Sequence, residues 1–134
     1  MTDKRMTPQE IVKADCKRYG FDYESVYVTL ANRIQEGSLR ILRSGNTLLV
    51  YSIGTHHEAK VHLMTADNPK QFVAALADFD QAMRAAGFIK ATTTTIDPQM
   101  LRMLDMAKIQ YTTTREPTSY KGKTAALYTI TIEV

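Results

Sequence analysis

Between Ala59 and Ile96 the chain reads strand, helix, strand, and this crossover restricts the possible folds more than any other feature. Ala59-Lys60-Val61-His62-Leu63-Met64-Thr65 has extended character. Asn68-Pro69-Lys70-Gln71 then starts a helix, with Asn68 as N-cap, Pro69 where a missing N–H costs nothing, and Gln71 placed to close a capping box. Phe72, Leu76, Phe79 and Met83 share one apolar face, and Ala85-Ala86-Gly87 ends the helix. Phe88 to Ile96 is rich in β-branched residues and reads as the strand that helix lies against. Such a connection favours a mixed sheet with helices on its faces over a helical bundle.

The flanking segments extend the pattern. Thr7-Pro8-Gln9-Glu10 starts a helix over Pro8 to Tyr19, with Gly20 as its stop. A second helix carries Val26, Leu30 and Ile34 as one expected buried stripe and ends at Gly37. Leu39 to Arg43 and Thr47 to Ile53 flank the turn Ser44-Gly45-Asn46, and Gly54 to Glu58 reverses the chain into the strand Ala59 to Thr65, giving an antiparallel meander. Asp97-Pro98 opens a further helix with Met100, Met103, Leu104 and Ala107 on one face. Tyr111 to Arg115 and Ala125 to Val134 are expected as closing strands, joined by a polar loop holding Pro117 and Gly122. Tyr128, Ile130, Ile132 and Val134 alternate onto one packed side. The expectation is one α/β (α+β mixed) domain over 1–134, a mainly antiparallel sheet flanked by helices in the order α-α-β-β-β-α-β-α-β-β.

Composition removes several function classes. The one thiol among 134 residues, Cys16, can form neither an internal disulfide nor a cysteine zinc site, and its place among Ile11, Val12 and Tyr19 suits a buried small side chain. The longest apolar runs fall far short of the roughly 18 residues a spanning helix needs, and Met1-Thr2-Asp3-Lys4-Arg5 has no apolar core of a signal peptide. A soluble chain with no membrane partner is expected. A net charge of +3 does not argue for nucleic acid unless the groups Lys13-Lys17-Arg18, Arg40-Arg43 and Lys121-Lys123 meet on one surface.

Individual candidates carry limited chemistry. His56, His57 and His62 surround Glu58, but their spacing matches no zinc motif, and no metal site is expected. Asp78 and Asp80 diverge on a helix and read as a solvated face. Ser52 and Ser119 have no nucleophile-elbow setting.

The element order, with Leu63-Met64-Thr65-Ala66-Asp67 before the long helix and Ile96 to Ile109 after it, resembles the GNAT superfamily of N-acetyltransferases from about Thr7 to Val134. Asp97 to Ile109 is similar to the superfamily's N-x-x-A-x-x-x-Y-x-x-x-G-F segment, with Asp97 at the Asn position. The chain looks closest to small GNAT-like proteins of short-tailed bacteriophages. In active members, the resemblance implies, the loop before the long helix closes bare amides around the diphosphate of acetyl-CoA, in a pattern Q/R-x-x-G-x-G/A. Here Thr65 to Val73 contains no glycine, Asp67 adds a negative charge, and Pro69 removes a donor. The tyrosine that protonates the departing thiolate falls on Leu104, and Lys108-Ile109 replace Gly-Phe.

These departures lead to the expectation of a non-catalytic phage virion or assembly protein, without catalytic or cofactor-binding residues, acting on a protein partner or as a homo-oligomer in the cytoplasm of a bacterial host or in the virion. The alternative implied by the resemblance is a diverged acetyl-CoA-dependent N-acetyltransferase. In it His62 serves as base, Tyr111 or Tyr120 stands in as acid, and Leu63, Met64, Thr65, Lys70 and Gln71 meet the cofactor. A third reading is a basic nucleic-acid accessory module.

Overall fold

In the computed structural model residues 5–133 are described; Met1 to Lys4, most of the polar start, and Val134, last of the alternating terminal set, lie outside the described residues. The elements are α1 (Pro8–Tyr19), α2 (Tyr23–Glu36), β1 (Arg40–Ser44), β2 (Thr47–Ile53), β3 (Glu58–Thr65), α3 (Pro69–Ala85), β4 (Lys90–Thr95), α4 (Gln99–Met106), β5 (Thr112–Tyr120) and β6 (Lys123–Glu133). They form one six-stranded sheet in the order β1-β2-β3-β4-β6-β5, antiparallel except between β3 and β4. This is the mixed architecture the crossover predicts.

Local chemistry explains the boundaries. Both capping boxes form: Thr7 Oγ1 accepts from Glu10 N–H at 3.2 Å, and Asn68 Oδ1 accepts from Gln71 N–H at 2.8 Å. Gly20 ends α1 at φ 74°, a left-handed conformation that glycine adopts without strain. Alternation along the strands sorts the core into two faces. On one, Ile11, Val12 and Cys16 of α1 pack on Leu48 and Met64. On the other, Ala75, Phe79 and Met83 of α3 pack on Leu49 and Ala59, while Phe72 and Leu76 meet Leu104, Ile109 and Ile130.

Three expectations need correction. The α2 stripe is not buried: Val26 and Leu30 are half-buried against the α1 cluster, and Ile34 is exposed where α2 runs past it. The strand expected over Phe88 to Ile96 is trimmed to β4, because the ladder to β6 spans only Lys90 to Thr95. The supposed polar loop after Arg115 is strand, paired from Thr112↔Thr131 to Tyr120↔Lys123 around a two-residue turn of Lys121 and Gly122. Polar composition misleads there because β5 is an edge strand, which tolerates exposed Thr, Ser and even Pro117.

Inside the sheet lies a polar chain with one consistent proton order. Thr47 Oγ1 donates to Asp67 Oδ2 at 2.7 Å, Asp67 N–H donates to Thr65 Oγ1 at 3.0 Å, and the Thr65 hydroxyl is therefore the donor in its 2.7 Å contact with Thr47 Oγ1. Asn46 N–H also donates to Asp67 Oδ2 at 3.0 Å, and Thr65 N–H to Asp15 Oδ1 at 3.2 Å. Thr47 is fully buried, so its bonds stand out of reach of water. Thr47→Val keeps the shape and removes the hydroxyl; we expect a loss of about 1–3 kcal/mol in urea unfolding, and a loss near zero would show that the chain of bonds does not hold the fold.

Candidate functional site

The parallel ladder between β3 and β4 is short. It joins Glu58↔Lys90, Ala59↔Ala91 and Lys60↔Thr92, after which β3 continues to Thr65 and β4 to Thr95 without pairing to each other. The strands therefore splay, and the facing edges keep backbone groups without ladder partners. Thr65 N–H faces this gap, because it bonds Asp15 rather than β2, and strand alternation turns the amide and carbonyl of Leu63 and Val61 to the same edge. A cavity of about 210 Å³ lies against the end of β3, at Leu63 and Thr65. Its wall joins both faces of the sheet: Asp15, Arg18 and Tyr19 from α1, Pro69 and Phe72 from α3, and Asp97, Met100 and Met103 at α4.

Asp15 is the unusual member. It is 7 % exposed on an α1 face otherwise made of Ile11, Val12 and Cys16, and its Oδ1 accepts the Thr65 edge amide. Burial pushes its carboxyl above the ordinary carboxylate range, against the Thr65 hydrogen bond and the charges of His62 and Arg18. Tyr19 lies one α-helical turn further on, and burial, with Asp15 and Asp97 nearby, raises its phenol and keeps it protonated. The β5–β6 hairpin reaches α1: β6 extends beyond its last pair with β4, Tyr128↔Thr95, and the Tyr120 hydroxyl at the hairpin tip donates to the Tyr19 carbonyl. The hairpin tip is thereby tied to the end of α1.

The connection from β3 to α3 is only Ala66, Asp67 and Asn68. Its amides are engaged. Ala66 N–H donates to Asn46 O at 2.9 Å, Asp67 N–H to Thr65 Oγ1, Asn68 N–H to Gln71 Oε1 at 3.4 Å, Gln71 N–H to Asn68 Oδ1 and Phe72 N–H to Asn68 O at 2.9 Å, and Pro69 has none to give.

The structure sorts the residues singled out from the sequence. Leu63 and Thr65 line the gap, whereas Met64 packs under α1, Lys70 is exposed on the first turn of α3, and Gln71 belongs to the capping box. His62 is exposed on β3, close enough to influence Asp15 but outside the cavity wall. The Tyr111 hydroxyl donates to Leu101 O at 3.4 Å, away from the gap, and Tyr120 ties the hairpin down. His56 and His57 stand exposed in a tight turn, each with φ 59°. Of the basic groups, Arg43 turns inward, bonding Met6 O, Gly45 O and Asn46 Oδ1. The sequence reading missed Asp15 and Tyr19. An acid at the i+4 position of an otherwise apolar i, i+1, i+4, i+5 stripe is the signal that points to the first.

No protein-family model and no curated protein matches the sequence. Solved structures do match. An acetyltransferase from Bacillus subtilis in complex with CoA is 8% identical, with 98% of this chain and 95% of that one covered at a TM-score of 0.63. Ribosomal-protein-alanine N-acetyltransferase from Brucella melitensis is 14% identical over 84% and 79% of the two chains, TM-score 0.60. A Chromobacterium violaceum protein ascribed to the GNAT family is 10% identical over 84% and 68%, TM-score 0.59. The fold is that of the GNAT acetyltransferases. This corrects the expectation of a non-catalytic phage virion or assembly protein: the Brucella melitensis structure is an N-acetyltransferase and the Bacillus subtilis one an acetyltransferase in complex with CoA. No helix among the described residues is long and apolar enough to cross a membrane.

Asp15 also dictates a pH dependence. Its native pKa lies above the unfolded one, so the folded state binds the extra proton and stability falls as pH rises from the ordinary carboxylate range through the raised native value. Asp15→Asn retains an acceptor for Thr65 and removes the titration. In urea unfolding at pH 4 and pH 7.5, the variant's stability minus that of wild type should increase as pH rises; a value that stays constant or falls contradicts the burial cost.

Proposed function

We propose that this GNAT fold is a working N-acyltransferase that takes an acyl group, acetyl in the simplest case, from a coenzyme A thioester and gives it to an amine. The observation that carries the reading is the splay of β3 from β4, with a cavity against the end of β3 walled by Asp15 and Tyr19. The gap suits the acyl-pantetheine part of the donor, because an extended arm bearing amides can pair with strand edges whose amides and carbonyls lack ladder partners. The diphosphate part is a different matter: the loop where the fold would hold it has its amides already bonded and a carboxylate among them. When bound, the donor supplies an activated carbonyl and a thiolate leaving group.

The chain's own residues supply the proton handling. The Asp15 carboxylate, anchored through Oδ1 by Thr65, accepts the proton of the attacking amine, and a raised pKa brings it nearer to the working pH of a general base. The Tyr19 hydroxyl, held protonated, is the group on the same wall that returns a proton to the leaving group. Leu63, Phe72, Met100 and Met103 give the wall an apolar part beside its charged residues Arg18, Asp67 and Asp97.

Incubation with acetyl-CoA and a panel of amines (polyamines, amino sugars and peptides with free N-termini), read by mass spectrometry, should show acetyl transfer to at least one acceptor. Asp15→Asn should lower kcat/KM by about a hundredfold or more while the variant stays folded. Absence of transfer across the panel, together with no acetyl-CoA binding at millimolar ligand, would overturn the reading.

A further inference from the structure

The mismatch between the two ends of the donor site has a consequence for donor choice. Phosphate recognition at a helix N-terminus needs amides that point outward without partners. At the start of α3 those of Ala66, Asp67, Asn68, Gln71 and Phe72 are engaged within the chain and Pro69 has no N–H, which leaves the single amide of Lys70 where a diphosphate needs several. Opening this connection would break the capping box and strip Asp67 from Thr47 and Asn46. The charge alongside is also wrong for a diphosphate: Asp15, Asp67 and Asp97 line the cavity against Arg18 as the cation on that wall. Lys70, exposed on the first turn, offers one flexible ammonium. By contrast, the strand edges along the gap read only amide geometry, which lies entirely in the pantetheine arm.

We infer that the donor site recognises the acyl-pantetheine arm and not the nucleotide, so its donor class is acyl thioesters of pantetheine whether or not a nucleotide diphosphate is attached. The inference rests on the acyltransfer reading. The reaction balances without the nucleotide: the amine nitrogen forms the new C–N bond, the C–S bond breaks, the amine proton goes to Asp15, and the sulfur leaves as a thiol after protonation.

The test compares acetyl-CoA with acetyl-pantetheine at equal concentration and with the same acceptor. Equal kcat/KM within about fivefold is expected, that margin being what one exposed ion pair from Lys70 can contribute. Adenosine 3′,5′-bisphosphate at millimolar concentration should leave the rate unchanged. Lys70→Ala should remove whatever preference for acetyl-CoA exists. If acetyl-CoA works and acetyl-pantetheine is slower by a hundredfold or more, the site does grip the diphosphate and the inference alone fails, because several charge-assisted hydrogen bonds would account for that ratio. Strong inhibition by the bisphosphate has the same meaning. If neither thioester acylates any amine, the acyltransfer reading fails and this inference with it.

Discussion

The buried chain Asp67–Thr47–Thr65, continued through the Thr65 amide to Asp15, is the interaction on which the arrangement of the site depends. It ties the start of β2, the end of β3, the entry to α3 and the middle of α1 at one point. Each donor in it has one acceptor, so its parts cannot move independently without leaving a buried polar group unsatisfied. The same bonds fix how α1 sits over the end of β3 and engage the amide of Asp67, while Ala66 N–H goes to Asn46 O and Asn68 N–H to Gln71 Oε1.

The splay of β3 from β4 follows from how the two strands are supported. β3 is held along its whole length by β2, and β4 by β6, so neither needs the other beyond their first three pairs. Beside the end of β3, Phe72 of α3 and Met100 and Met103 of α4 line the cavity together with Asp67, Asp97 and Gln99, and Asp15, Arg18 and Tyr19 of α1 line it as well. Tyr120 joins the hairpin tip to the end of α1.

Most of the architecture is legible in the sequence because it rests on local signals. Thr7-Pro8-Gln9-Glu10 and Asn68-Pro69-Lys70-Gln71 start their helices as the residue types require, and the β-branched content of β4 marks it as a strand. Both closing strands are legible, but the outer part of their hairpin, Glu116 to Thr124, is not, since an exposed edge strand carries no apolar alternation and Pro117 reads as a breaker until the edge is known. The absence of glycine from Thr65 to Val73 is visible in the sequence, whereas the splay of β3 from β4 depends on pairing that no local pattern reveals. Asp15 was hidden for a related reason, because only the fold shows that its helix lies over the open edge of β3.

Amide NMR during a titration with acetyl-CoA tests the central point most directly. The account predicts that the resonances of Val61, Leu63 and Thr93 to Thr95 shift along the gap while those of Ala66, Asp67 and Asn68 stay in place and remain slow to exchange with solvent. The largest shifts at Ala66 to Gln71, with loss of their protection, would mean that the connection opens to wrap the diphosphate, and would contradict it.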